Sequence, residues 1–282
     1  MIGARCKVFA LCCAVAALAG AAGASADEHP LWEAGAGITA LSFPDYRGSN
    51  QRRPWVLPFP YLIYRGEFLK ADERRVRGLL AKVEGIELDA SFNATVPVKS
   101  DKNEARQGMP DLDPTVEFGP SLNAMIAQSA DRKSQLELRL PVRAVVATDL
   151  RHAQFAGWVF EPGLNLDIVD AFGTPRLRFG ALVGPMFSNR LHNEYFYRVD
   201  PEFATPDRPA YSPGGGYAGS QILVSLSRRF GEFWVGGFAR WDTLKHAAFE
   251  GSPLVKTEQY FAGGVAVAWI LGESKATVES PR

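Results

Sequence analysis

The chain has 282 residues, enough for one large domain, with 31 basic and 31 acidic side chains. This balanced charge, with a pI near 6.9, excludes the broadly basic surface of a typical nucleic-acid-binding protein. The mean hydropathy of −0.09 excludes a polytopic helical membrane protein, and 27 Gly with 19 Pro favour many turns over a helix bundle.

The first 26 residues have the pattern of an export signal peptide. Arg5 and Lys7 form a short basic region, 8–19 is apolar, and 24–26 reads Ala-Ser-Ala, a small-residue cleavage site. All three cysteines lie in this segment, so we expect the exported chain to contain neither a disulfide nor a thiolate site. Removing the segment leaves 29 basic and 31 acidic side chains.

From residue 31 onward, apolar and polar residues alternate with period two, which predicts β-strands. Leu136 and Leu138, for example, alternate with Glu137 and Arg139. Most of these strands are longer than the roughly five or six residues usual in globular sheets. In chain order they are 31–43, 55–64, 67–71, 75–83, 86–98, 114–127, 134–147, 154–168, 175–187, 216–228, 231–242 and 257–271.

The connections between these strands alternate in length. Those at 128–133, 169–174 and 229–230 are short, whereas 99–113, 188–215 and 243–256 are long. Outer-membrane barrels have short periplasmic turns and longer outer loops in this alternation, and strands of about 9–11 residues cross a bilayer. The sequence therefore predicts an all-β fold, an antiparallel transmembrane β-barrel over 27–271, followed by a polar tail at 272–282.

The number of strands depends on 55–83, where Pro58, Pro60, Gly66 and Gly78 interrupt the alternation. One bent strand there gives ten strands in total, and three short strands give twelve. We favour twelve.

Alternation alone does not tell a membrane barrel, with lipid outside and a polar interior, from a soluble β-protein with an apolar interior. If the apolar face points outward, the interior carries charges of both signs. A selective pore and a salt-bridged plug are both compatible with such a lining, and a narrow barrel favours the plug. The candidate interior charges are Glu87, Asp89, Glu117, Glu137, Arg139, Arg143, Glu161, Asp167, Arg176, Arg178, Arg240 and Asp242.

Six loop and strand segments, taken in order, resemble the MipA/OmpV family. They read Pro-Asp-Tyr-Arg-Gly-Ser at 44–49, Pro-Tyr-Leu-Ile-Tyr-Arg at 60–65, Arg-Gln-Gly-Met-Pro-Asp-Leu-Asp at 106–113, Glu-Phe-Gly-Pro at 117–120, Arg-Pro-Ala-Tyr at 208–211 and Ser-Pro-Leu at 252–254. The loop residues that carry the resemblance are Asp45, Tyr46, Arg47, Arg106, Gly108, Met109, Pro110, Asp111, Arg208, Tyr211, Ser252 and Pro253. The resemblance spans nearly the whole chain after residue 26.

The resemblance implies a non-enzymatic barrel in the outer membrane of a Gram-negative bacterium, in contact with outer-membrane lipid. It further implies a scaffold that links a murein lytic transglycosylase to a bifunctional penicillin-binding protein in peptidoglycan synthesis. Two alternatives stay open: a porin-like channel or small-molecule transporter with a charged lumen, and a surface-loop adhesin. Fold carries over between family members more safely than any of these roles.

We expect no catalytic residue, cofactor or metal site. The four histidines show no metal-ligand spacing, and a histidine near an acid in an outer loop, such as His152 after Asp149, is ordinary. The acidic loop 99–113 suits a solvated loop better than a cation site. The loop 188–215 is rich in aromatic and arginine residues, which suits a binding surface and a loop folded into the barrel mouth equally well.

Overall fold

The structure, a computed structural model, describes residues 28–65, 69–71, 76–83, 86–149 and 151–279. The signal peptide expected at 1–26 lies outside these residues. Among the described residues the strands are β1 Glu28–Pro30, β2 Trp32–Pro44, β3 Arg52–Arg65, β4 Leu69–Ala71, β5 Val76–Val83, β6 Ile86–Ala94, β7 Thr115–Gln128, β8 Ser134–Thr148, β9 Ala153–Phe160, β10 Gly163–Val169, β11 Leu177–Ser188, β12 Gly216–Phe230, β13 Phe233–Thr243, β14 Gln259–Glu273 and β15 Thr277–Glu279. One α-helix, α1, spans Arg190–Tyr197.

The antiparallel pairings of β2 to β14 follow a circuit, which we call the barrel, and its join between β3 and β4 consists of two residue pairs. Each strand pairs with the next along the chain, and β14 pairs back onto β2 over ten residue pairs. β9 and β10 act as one interrupted strand, because β8 pairs with both of them and β11 pairs with both of them. Counted so, the described residues form twelve strands around the circuit, the number favoured from the sequence.

Most strand bounds fall within a few residues of those predicted. The main difference is at 154–168, where Glu161 and Pro162 separate β9 from β10. Proline has no N–H to donate to a neighbouring strand, so the ladder breaks there although the alternation continues past it. A second difference is α1, which lies inside the predicted outer loop 188–215.

The apolar side of the strands faces outward. Ile38, Val56, Phe261 and Val265 are each more than 60% exposed, whereas the alternate residues on the same strands are buried or half-buried. The same pattern holds around the circuit, with Phe92, Val116, Phe118, Leu122, Val142, Trp158, Leu164, Val183, Ile222, Val224 and Val267 exposed. The apolar face is therefore not the inside of a sandwich.

The long connections gather at one end of the barrel, the long-loop end, and the turns 129–133, 170–176 and 231–232 lie at the other, the short-turn end. At the short-turn end, β1 pairs with β15 in a two-stranded ribbon, with His29 opposite Val278. The tail expected after residue 271 is thus partly ordered, since β14 continues to Glu273 and 277–279 form a strand. The helices of the described residues are too short to cross a bilayer.

β3 is the least covered strand of the circuit. Its contact with β4 is limited to Tyr64 and Arg65, so the described strands leave 52–63 paired on one side only, with β2. Pro54, Pro58 and Pro60 fit this position, because residues two apart direct their backbone groups to the same side of a strand. The three missing N–H donors therefore fall on the edge against which the described residues place no strand.

Candidate functional site

The connections at the long-loop end pack into a single structure, the cap, made of 45–51, 95–114, 189–215 and 244–258. Its core is apolar and joins residues far apart in the chain, among them Tyr46, Leu112, Tyr197 and Leu254. This core continues downward onto strand residues that face the interior, such as Val145. The cap is thus a packed lid over one end of the barrel rather than a set of independent loops.

Arg47 reaches from the first loop down into the barrel. Its guanidinium donates to a carboxylate oxygen of Asp242 at 3.2 Å, to the Tyr260 hydroxyl at 3.1 Å and to the Ala218 carbonyl at 2.9 Å. It also contacts the sulfur of Met186. Burial opposes its charge, but Tyr260 and Asp242 outweigh that effect and raise the pKa of Arg47 above its usual range. Arg47 therefore ties the cap to three strands and remains charged.

The loop around Arg47 is fixed by its neighbours. Asp45 accepts from Arg53 at 3.2 Å and from the Asn103 amide at 2.9 Å, which links this loop to 95–114. Gly48 has a φ of +90°, and a Cβ there would lie 2.9 Å from a methyl of Leu244, so a larger residue meets both strain and a clash.

Two other motif arginines hold the loops through backbone carbonyls. Arg106, only 3% exposed, donates to the carbonyls of Phe196 and Pro110, each at 3.1 Å. Arg208 donates to the carbonyls of Phe203, Ala105 and Gln107. Burial lowers the pKa of Arg106. Both side chains therefore donate their hydrogen bonds to acceptors within the cap.

Aromatic residues of the 189–215 segment point into the cap. Tyr197 stacks on Phe249 with ring centroids 3.8 Å apart, and its hydroxyl donates to the Arg47 carbonyl at 2.9 Å. Ser252 donates to the Tyr197 carbonyl at 2.8 Å, and Tyr46 donates to the Leu254 carbonyl at the same distance. Burial raises the pKa of Tyr46 and of Tyr197, so both hydroxyls stay protonated donors. The loop is folded into the barrel mouth, one of the two alternatives.

The remaining motif residues also belong to the cap. Asp111 accepts from the Lys99 ammonium at 2.7 Å and from the Ser100 amide at 2.8 Å. Tyr211 pairs with Val199 through two backbone bonds of 2.9 Å. Met109 packs on the cap core, Gly108 adopts a φ of +81° and Pro253 is half-buried. The loop motifs of the family resemblance, scattered over more than 200 residues, therefore meet in one place.

His192, predicted on an outer loop, lies in α1 and is only 6% exposed. Its Nδ1 atom has no hydrogen-bond partner among the described residues, and its ring packs on Phe196. Burial is the main cause that lowers the pKa of His192 to about 4, and the charge of Arg47 contributes to this shift. The side chain is therefore neutral at pH 7. His192 is buried because it lies on the inner side of α1, a helix that the strand pattern could not indicate.

Inside the barrel, the charges form pairs of opposite sign. Arg143 bonds Glu117 at 2.8 Å and also contacts Glu161. Arg139 lies 2.9 Å from Glu137 and 3.4 Å from Asp167.

A further pair lies where Arg47 enters the barrel. Arg240 bonds Asp242 at 2.7 Å, and Asp242 is 1% exposed. Asp89 accepts from the Asn123 amide at 2.9 Å, and Glu87 is half-buried on the same face of β6. Arg178 faces the interior from β11.

Arg176 is the exception among the candidate interior charges. It lies in the turn before β11 with a φ of +62° and is exposed, so its prediction as an interior residue was wrong. The alternation that assigned it inward begins only at Leu177, where the strand starts.

The described part of the chain contains no cluster of three or more His, Asp or Glu residues arranged to hold a metal ion. In the loop 99–113, the Asp111 carboxylate accepts hydrogen bonds from Lys99 and Ser100, as described above.

A cavity of about 590 Å³ remains in the interior, in the half nearer the short turns. Its walls come from β2, β3, β8 and β10–β14. The sequence pattern placed charges in the interior but did not indicate where space would be left, since that depends on which strands face one another.

Comparison with known proteins places the chain in a family. A search of the curated proteins gave no match. Among solved structures, a double mutant of the Rh. blastica porin is 10% identical with a TM-score of 0.14, and covers 84% of this chain and 99% of its own. A triple mutant of Rhodopseudomonas blastica porin gives the same identity, coverage and TM-score. The family model described as MltA-interacting protein MipA matches residues 36–271. This chain therefore belongs to the MipA family.

Proposed function

We propose that this protein is a non-enzymatic β-barrel of the bacterial outer membrane, with the cap outside and the short-turn end in the periplasm. The observation that carries the proposal is the band of apolar side chains on the outward face of the strands. A water-soluble protein rarely exposes a contiguous apolar patch of more than a few hundred Å², whereas lipid-facing strands require one. The paired charges inside the barrel fit the same arrangement.

Membrane insertion is tested by expressing the chain with residues 1–26 and running the membrane and soluble fractions on a gel, unboiled and boiled. A barrel folded in lipid resists SDS and migrates differently until it is heated. We expect the protein in the outer-membrane fraction with a heat-dependent shift. A soluble periplasmic protein without a shift would reject the proposal.

We further propose that the short-turn end binds a murein lytic transglycosylase and holds it near a bifunctional penicillin-binding protein. The support is the family description, which names interaction with MltA. Geometry favours this end, because the proposed orientation turns it toward the murein layer. The turns there are short, so the ribbon of β1 and β15 adds much of the surface that projects beyond the strands.

The docking surface is tested by capturing the transglycosylase on the purified full chain. Deleting 274–282 removes β15 and should weaken capture, and replacing Arg176, exposed in the turn 170–176, with Glu should weaken it further. The matched control replaces Asp207, exposed in the cap, with Lys and should leave capture unchanged. Equal capture by all variants would exclude docking through this ribbon and turn.

An open diffusion pore is the less favoured function. The packed cap and the ion pairs of Arg47, Arg143 and Arg240 occupy the path through the barrel. An adhesin is also less favoured, since the aromatic residues that motivated it are largely engaged inside the cap.

A further inference from the structure

We propose that the interior cavity is a binding site for a small organic anion with an apolar or aromatic body. The site is separate from the proposed docking surface, which lies on the outside of the short-turn end. The argument rests on three properties of the cavity: its charge, its walls and its position.

The cavity is lined by three arginines, Arg139, Arg178 and Arg240, and no Asp or Glu is among the described residues that line it. Arg139 pairs with Glu137 and Asp167, and Arg240 pairs with Asp242; these acids are not among the residues that line the cavity. Among the described residues, only the Nε atom of Arg240 has a hydrogen-bond partner, Asp242, and its two terminal nitrogens can donate to a ligand. The cavity therefore presents positive charge toward its empty space.

Arg178 is the strongest anchor for an anion. Within the described part of the chain, the guanidinium of Arg178 makes no hydrogen bond and no ion pair. The charge of Arg178 acts on the Asp170 carboxylate from a distance, but that carboxylate is bonded to the Lys133 ammonium at 2.6 Å. A half-buried guanidinium gains most from a carboxylate, sulfonate or phosphate that supplies a paired acceptor.

The rest of the wall suits an apolar body. Phe59, Trp234 and Phe238 contribute aromatic rings, and the Trp234 ring packs on Gly236, where a Cβ would lie 2.3 Å from it. Trp234 is 8% exposed, and its Nε1 atom has no hydrogen-bond partner among the described residues. A buried indole N–H normally has an acceptor, so this donor also favours a ligand that brings one. A volume of about 590 Å³ lies within the range of small-molecule sites.

Access is from the short-turn end. Arg178 is the second residue of β11, next to the turn 170–176, whereas Arg139 and Arg240 lie deeper in their strands. The cap closes the opposite end. On the side of Trp234, the wall is an apolar cluster in which Trp234 packs with Tyr61 and Ile270. A ligand that enters past Arg178 thus meets a second and a third guanidinium further in.

The test is calorimetric titration of the full chain, in nanodiscs of zwitterionic lipid, with naphthalene-1-sulfonate and with the uncharged 1-naphthalenemethanol. We expect saturable binding of the sulfonate and at least about tenfold weaker binding of the alcohol, because a hydrogen bond to a charged group is worth that much. Arg178→Gln should raise the dissociation constant of the sulfonate by about tenfold. Ser225→Phe, which fills the cavity from β12, should abolish binding.

The matched control is Arg132→Gln, at an arginine exposed in the turn 129–133 of the same end, and it should bind like the unaltered chain. Heat-dependent migration on a gel shows that each variant is folded. Absence of saturable binding to the unaltered chain would overturn the proposal, as would binding that neither Arg178→Gln nor Ser225→Phe reduces. Equal binding of the alcohol would overturn the anionic class. None of these results bears on transglycosylase capture, which tests the outer surface of the same end.

Discussion

Arg47 joins the first loop to three strands through one side chain. Replacing it with Met keeps much of the volume but removes every donor, which leaves the Tyr260 hydroxyl and the Ala218 carbonyl without their partner. Asp242 keeps Arg240, so we expect a loss near the lower end of the cost of breaking a buried pair, about 3 kcal/mol. The measurement is the free energy of unfolding in urea with the protein in lipid vesicles.

The control for this prediction is Arg198→Met. Arg198 pairs with Asp200 at 2.5 Å, but the two side chains are 49% and 38% exposed, and an exposed pair contributes about 1 kcal/mol or less. If both variants lost the same stability, Arg47 would be an ordinary surface arginine rather than the link between cap and barrel.

His192 predicts a dependence of stability on pH. The pKa of His192 is about 4 in the folded protein and about 6.5 in an unfolded chain, so between these values only the unfolded state takes up the proton. Its contribution is therefore fully present above pH 6.5 and falls as the pH drops toward 4, by about 3 kcal/mol in total. The groups that face it, Arg47 and Glu161, remain in the variant.

The measurement compares the unaltered chain with His192→Phe between pH 7 and pH 4. The stability difference between the two should shift in favour of the variant as the pH falls, since carboxylates titrate in both. His152→Phe, at an 88% exposed histidine, should behave like the unaltered chain. A pH-independent difference would show that His192 is not buried in its neutral form.

At the residue scale, the sequence indicated which loop residues matter but not what they do. Arg47, Arg106 and Arg208 were singled out by family resemblance alone. Their partners lie up to 213 positions away, as for Arg47 and Tyr260, and no local pattern encodes contacts of that range. The burial of His192 was missed for the same reason.

At the scale of elements, period-two alternation predicted the strands well. One face of each strand carries exposed apolar side chains, and the other face lies against a crowded interior. The pattern was uninformative where a strand is short or interrupted. It passed over the break at Pro162, which changes pairing without changing the alternation. It also read Pro58 and Pro60 as interruptions, whereas β3 is continuous from Arg52 to Arg65 and has them on the edge that the described strands leave unpaired.

The outward face of the strands gives a prediction that separates the two environments. Val265 is 64% exposed near the middle of β14, so Val265→Arg should cost about 2–4 kcal/mol if the face meets lipid, and little if it meets water. Ala204→Arg, exposed in the cap, should cost little in either environment. The measurement is urea unfolding in vesicles. Equal stability of both variants would contradict a lipid-facing β14.

At the scale of the whole molecule, the barrel is closed at one end and hollow near the other. Three successive layers block the long-loop end: the cap core, the hydrogen bonds of Arg47 and the paired charges below it. The cavity lies on the other side of this barrier. Such an arrangement suits a chamber with one entrance better than a channel with two.

The closed end predicts the electrical behaviour of the protein. In a planar bilayer we expect the unaltered chain to give no conductance steps, because the apolar cap core excludes hydrated ions. Removing 99–112 and 200–211 together takes away the segments that hold Arg106, Arg208 and their carbonyl partners, and, combined with Arg47→Ala, it should produce steps. Deleting 274–282, which alters only the short-turn end, should leave the protein silent. Steps from the unaltered chain would show that ions pass through the cap, and the channel alternative would then replace the one-entrance chamber.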